Sequence, residues 1–168
     1  MEKFKEIQFD DFKVSPFNLI GKQWMLITAG NKEKQNAMTA SWGGLGVMWN
    51  KNVSFVVIRP KRFTKKFVDE ESRFSLCFFD ENYRKTLSYM GSVSGKDEDK
   101  ILKSGLKVNY FNDVPFFEES KYVMICKKLY AQDYKPELFF DKDLEERIYP
   151  TKDYHTLYIS EIECILEK

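Results

Sequence analysis

The sequence is poor in the residues that build metal and nucleophile chemistry. Its 168 residues hold one histidine, His155, and three cysteines. Cys77, Cys126 and Cys164 are far apart, lie in apolar runs and form no Cys-x-x-Cys pair. That spacing argues against zinc and against a disulfide framework, and points to buried free thiols. An excess of charge of one sign is missing too: 27 Lys plus Arg stand against 26 Asp plus Glu. The near-balance gives no footing for nucleic-acid binding and supplies no acidic tail. No apolar run is long enough to cross a membrane, and the charged N-terminus carries no secretory signal, so a cytoplasmic location is expected. Internal repeats, low-complexity stretches and a serine–histidine–acid arrangement are all lacking. A dinucleotide fingerprint is lacking as well. Gly43, Gly44 and Gly46 have the wrong spacing, and no helical pattern with a suitably placed acid follows them.

What the chain has is aromatic side chains, 15 Phe and 9 Tyr among them. Such rings fill cores, build interfaces and stack on planar ligands. The length suits one domain spanning residues 1–168, with 1–18 as an N-terminal arm that lays its phenylalanines on the body. Alternating or β-branched runs predict strands over Leu19–Ala29, Asn36–Gly43, Val53–Ile58, Phe74–Phe79, Lys121–Gln132 and Tyr154–Leu166. Short helices are expected over Thr64–Glu71, with Thr64 as N-cap, and over Asn82–Met90, with Gly91 at its C-terminal cap. Further short helices are expected before Gly105 and over Asp141–Arg147. Leu106–Ser120, which contains Pro115, reads as a loop. Both faces of Lys121–Gln132 are apolar, so that strand needs a cover on each side, the outer one being something such as a subunit partner. The pattern is mainly β: a barrel with a few short helices.

One stretch, Asn36 to Thr64, concentrates chemistry. Thr39 and Ser41 are two apart, so on an extended segment their hydroxyls share a face. Arg59, Lys61 and Arg62 surround Pro60, which fixes the local backbone. Hydroxyls, guanidinium groups and a helix start suit a phosphate monoester. An ordinary half-buried strand followed by a solvated turn would also account for these residues. Arg59 shares the parity of Phe55 and Val57 and needs an anion, for which an internal carboxylate is the alternative partner. The turn at Ser94-Gly95-Lys96 reads either as a solvated surface turn or as a second wall, with Lys96 over a bound anion or an electron-rich ring.

Three blocks, Asn36-Ala-Met-Thr-Ala-Ser-Trp42, Arg59-Pro-Lys-Arg-Phe-Thr64 and Ser94-Gly-Lys-Asp97, resemble the flavin reductase-like family of FMN-binding split barrels, flavoredoxins included. The resemblance runs from about Leu19 to Leu166. It implies a Greek-key-like split β-barrel and a homodimer with one FMN per subunit near the subunit interface. It implies that Asn36, Met38, Thr39, Ala40, Ser41 and Trp42 line the flavin ring and ribityl chain. Arg59, Pro60, Arg62 and Thr64 would hold the phosphate region, and Ser94, Gly95 and Lys96 would approach from another side. Asp153-Tyr-His155 resembles a family segment whose histidine lies near nicotinamide in reductase members. The pattern departs from the family at Ser160 and Ile162, where Gly and Val are usual. The implied activity is transfer of reducing equivalents from NADH or NADPH through FMN to an acceptor. The alternatives are an FMN electron carrier reduced by a redox protein partner, and a non-redox module holding another phosphorylated or haem-like ligand.

Overall fold

The structure, a computed structural model, describes residues 4–168. In chain order the elements are β1 (Lys5–Ile7), β2 (Met25–Gly30), β3 (Gln35–Ala40), β4 (Gly43–Met48), β5 (Lys51–Ile58), α1 (Thr64–Glu70), β6 (Arg73–Phe78), α2 (Arg84–Ser92) and α3 (Lys100–Ser104). The chain continues with β7 (Val108–Phe111), β8 (Val114–Phe117), β9 (Tyr122–Asp133), α4 (Lys142–Ile148) and β10 (Thr156–Glu167). Seven strands hydrogen-bond in the order β3-β2-β6-β9-β10-β5-β4, and β1 adds to β10, making an eight-stranded antiparallel sheet. Strands β3 and β4, at the two ends of that path, do not pair, so the barrel is split. The fold is therefore the mainly β split barrel that the sequence predicts, with few helices.

One cluster of buried side chains fills the barrel, with Ile27, Val56, Phe74, Met124 and Tyr158 at its centre. A second lies on the other face and includes Val123 and Ile125 of β9 together with Phe116 and Phe117. On that face the chain's own β7–β8 hairpin packs over β6 and β2. This corrects the reading of 106–120 as a loop. Pro115 sits in register opposite Tyr110, and Asn112 and Asp113, with φ of 48° and 66°, make the tight turn. Positive φ at both central residues is the twist that a two-residue hairpin requires.

Other boundaries shift for physical reasons. Residues Phe17–Gln23 form a π-helical segment, and the strand begins only at Met25. Trp24 takes a φ of 70°, with the Arg84 guanidinium 3.1 Å from its ring centroid. Helix α2 runs through Gly91 to Ser92, so Gly91 is not a cap. A Cβ at Gly91 would lie 3.1 Å from the Thr39 Cβ, so the glycine serves close approach of helix to strand. The predicted ends at Gly105 (φ 75°) and at Asp141, whose carboxylate accepts from the Leu144 N–H, are as read. The three cysteines are free and buried. The N-terminal arm pairs through β1, and Phe4 packs edge-on against Phe116 at 5.2 Å.

Candidate functional site

The ends of β3 and β5 converge on one cleft of about 230 Å³. Its walls are Met38, Thr39, Ala40, Ser41 and Trp42 from the first, Val57 and Arg59 from the second, with Arg62 and His155 completing it. Residues from three distant parts of the sequence thus meet, as the motif blocks imply. The rest of the predicted set lies elsewhere. Asn36 donates from Nδ2 to the Thr64 hydroxyl at 3.0 Å, and both residues are buried. Gly95 packs directly on Asn36: a Cβ there would lie 2.3 Å from Asn36 Oδ1. Asn36, Gly95 and Thr64 therefore form a packed junction. Asn36, Gly95 and the exposed Lys96 line a separate, more polar cavity of about 610 Å³. Pro60 and Ser94 line neither space, and the Ser94 hydroxyl accepts from the Lys96 N–H, closing its own turn. Thr64 is the first residue of α1 and its side chain caps nothing; the capping position is Phe63.

The two hydroxyls of the strand end differ. Thr39 Oγ1 donates to the Leu87 carbonyl at 2.5 Å, tying β3 to α2. Ser41 makes no side-chain hydrogen bond to the described residues, so its hydroxyl is free to meet a ligand.

The cations differ as well. Arg59, one of the residues expected at the phosphate region, is paired within the protein. Its Nη1 is 2.6 Å from Asp153 Oδ1 and its Nη2 donates to the Ile148 carbonyl at 3.0 Å. The internal carboxylate that sequence offered as the alternative partner is Asp153. Lys61 stands 3.0 Å from Asp153 Oδ2. Lys61, Thr151 and Arg59 together hold the Asp153 carboxyl well below the usual carboxylate range. Arg62 has no such partner: among the described residues no carboxylate pairs with it, and its Nη1 donates to the Gly91 carbonyl at 3.1 Å. Burial lowers its pKa. Close by, the buried Lys100 donates to the carbonyls of Met90 and Val93. Its pKa is lowered to about 8 by burial and then by the charge of Arg62. Two cations thus share the C-terminal carbonyls of α2, whose partial negative charge balances them only in part. A half-buried guanidinium without a carboxylate suits an anionic group. Lys100 carried no motif signal and was missed by sequence reasoning.

His155 is buried, at 7% exposure. Its Nδ1 is 2.8 Å from the Tyr149 hydroxyl, and its ring lies 5.3 Å from Trp42. Burial, then the charge of Arg59, lowers its pKa to about 4, against the opposing charge of Asp153. The imidazole is neutral at neutral pH. Ser160 and Ile162 are buried within β10, opposite Ser54 and Cys126 of the neighbouring strands. Their departure from the family pattern falls in the sheet and not on the cleft wall.

Residues 17–166 match the flavin reductase like domain, so the chain belongs to that family. No curated protein matches it. The solved structures it resembles share its fold. One is an FMN-binding domain of a flavin reductases-like enzyme from Shewanella baltica, with TM-score 0.69, 16% identity and 98% of this chain over 77% of that one. Another is flavoredoxin from Methanosarcina acetivorans, with TM-score 0.68, 22% identity and 100% of this chain over 76% of that one. Nitrilotriacetate monooxygenase component B from Mycobacterium thermoresistibile is similar at TM-score 0.67 and 12% identity, over 87% and 69% of the two chains.

Proposed function

We propose that the cleft binds FMN and that the protein is a flavin reductase-like oxidoreductase passing reducing equivalents from NADH or NADPH to an acceptor. The observation that carries this reading is Arg62, a half-buried guanidinium without a carboxylate partner among the described residues, at a cleft shared by the free Ser41 hydroxyl and the Trp42 indole. FMN, when bound, supplies the hydride and electron chemistry. The chain's own residues bind and orient it. Arg62 meets the anionic group with charge-assisted hydrogen bonds. Ser41 and the backbone N–H groups around it supply neutral donors, and Trp42 offers an apolar wall. Tyr149 and the neutral His155 add no charge to the cleft at neutral pH.

Family membership and FMN-binding neighbours support FMN, and the flavin reductases among them support a nicotinamide donor. Flavoredoxins are also among the structural neighbours, which keeps an electron carrier reduced by a protein partner as the second reading. Anaerobic addition of NADH or NADPH to the FMN-loaded protein separates the two. Rapid bleaching of the flavin is the expected result. Bleaching by a ferredoxin-like protein, and by neither nicotinamide, assigns the carrier role.

A homodimer with the flavin near its interface belongs to the same reading. Strand β4 is an edge, and it and its turn expose Val47 and Trp49, with Trp42 also exposed on the cleft wall. Exposed apolar groups along the free edge of a sheet favour association. Light scattering on the eluted protein should give twice the chain mass; a monomer at micromolar concentration would refute the dimer.

A further inference from the structure

Trp42 and Val57 are walls of two spaces. On one side lies the cleft; on the other is a pocket of about 590 Å³ that no motif predicted. One side of the pocket is lined by the segment between β9 and β10. Trp42, Phe55, Tyr134, Phe139 and Tyr149 give it aromatic walls, and Leu144, Ile148 and Leu157 fill between them. The walls pack on one another: Phe139 lies 5.7 Å from Tyr149 and 6.1 Å from Tyr134, both edge-on.

The chemistry of the lining selects its ligand. No lining residue carries a charge. Arg59 lies 5.1 Å from the Tyr149 ring, but it is already paired with Asp153 and is not part of the wall. An anion entering the pocket would lose its hydration and gain no partner. Flat aromatic walls favour a flat aromatic guest through offset and edge-to-face contacts. One directional group is available. The Tyr134 hydroxyl makes no hydrogen bond to the described residues, and burial raises its pKa, so it is a neutral donor. The Tyr149 hydroxyl, by contrast, is engaged with His155. Pockets with apolar walls and few polar groups are the usual form of small-molecule sites.

We propose that this pocket binds an uncharged, planar aromatic molecule bearing one hydrogen-bond acceptor, with Tyr134 as its polar anchor. Trp42 separates the guest from the cleft, so the guest sits beside whatever the cleft holds. The pocket's role as the electron-acceptor site rests on the FMN reading; its selectivity for neutral rings does not.

Calorimetric titration with two guests of one ring system tests the proposal: 2-acetylnaphthalene, a neutral ketone, and 2-naphthoate, an anion. Each is titrated into the full chain with and without FMN. The ketone should bind at least tenfold more tightly than the carboxylate in both forms. Leu144 is 38% exposed on α4 and lines only this pocket of the two, so Leu144→Trp should fill the space without touching the cleft. That variant should weaken the ketone at least tenfold and leave FMN affinity unchanged. Tyr134→Phe should weaken the ketone several-fold and spare unsubstituted naphthalene. Equal affinity for ketone and carboxylate, or an unchanged ketone affinity in Leu144→Trp, overturns the proposal. Ketone binding by a protein that refuses FMN supports the pocket while overturning the FMN reading; FMN binding without ketone binding does the reverse.

Discussion

His155 lies among Trp42, Tyr134 and Tyr149, and its environment sets a pH dependence that can be worked out in sign. The unfolded imidazole takes its proton near pH 6.5, the folded one only near pH 4. Between those values the unfolded state binds more protons, so stability rises with pH across that window. The contribution is fully present above pH 6.5 and is lost as pH falls toward 4. It is worth about 1–2 kcal/mol once partial solvent screening is allowed for. Asp153, depressed by Lys61, Thr151 and Arg59, extends the decline: its contribution is present above its ordinary value of 3.8 and is lost below it. Thermal melts from pH 7 to pH 4.5 should therefore fall for the native protein and fall much less for His155→Gln. Equal slopes would remove His155 as the cause. The two arginines should also separate. Arg62→Ala removes charged hydrogen bonds from the cleft, each worth roughly 1.5–3 kcal/mol, so FMN affinity should drop about 10–100-fold. Arg59→Ala instead leaves Asp153 without its shorter ion pair and should show mainly as a lower melting temperature. Equilibrium dialysis and melts on both variants check the contrast, and a reversed pattern would return the phosphate role to Arg59.

Elements assemble the site by packing glycines against polar side chains. Gly95 has no Cβ because Asn36 occupies its place, and Asn36 holds Thr64 at the start of α1. Gly95→Ala should displace the amide, break the buried Asn36–Thr64 hydrogen bond and cost about 1–3 kcal/mol. Urea unfolding measures it, and a shift of the midpoint below experimental error would show that the junction is slack. The strands were legible where the local signal is strong. Val53–Ile58 is β-branched and aromatic, and β9 and β10 are long apolar runs between turns. The β7–β8 hairpin was not, because Pro115 masked a strand and its turn, Asn112-Asp113, lacks glycine. The same limit applied to Trp24, whose positive φ and stacked Arg84 follow from a contact sixty residues away in sequence. Gly91 and Gly95 looked like turn residues, yet their need for space comes from β3.

The whole molecule explains why the cleft was readable as a set of residues but not as a set of roles. Met38–Trp42, Arg59, Arg62 and His155 were all named from motifs, and folding brings them together. Which cation is free depends on Asp153, and which hydroxyl is free depends on Leu87, contacts that no local pattern reports. The aromatic pocket behind Trp42 was invisible for the same reason, since its walls come from β4, β5, β10 and the segment before β10. No helix among the described residues is long and apolar enough to cross a membrane. We propose that the split-barrel cleft is an FMN site built on Arg62, Ser41 and Trp42. Its most direct test is a fluorescence titration of flavin-stripped protein with FMN. Saturable binding at one FMN per chain, with quenching of Trp42 emission that is absent in Trp42→Phe, is the predicted result. A protein that takes up no FMN, or binds it with Trp42 emission unchanged, would contradict the claim.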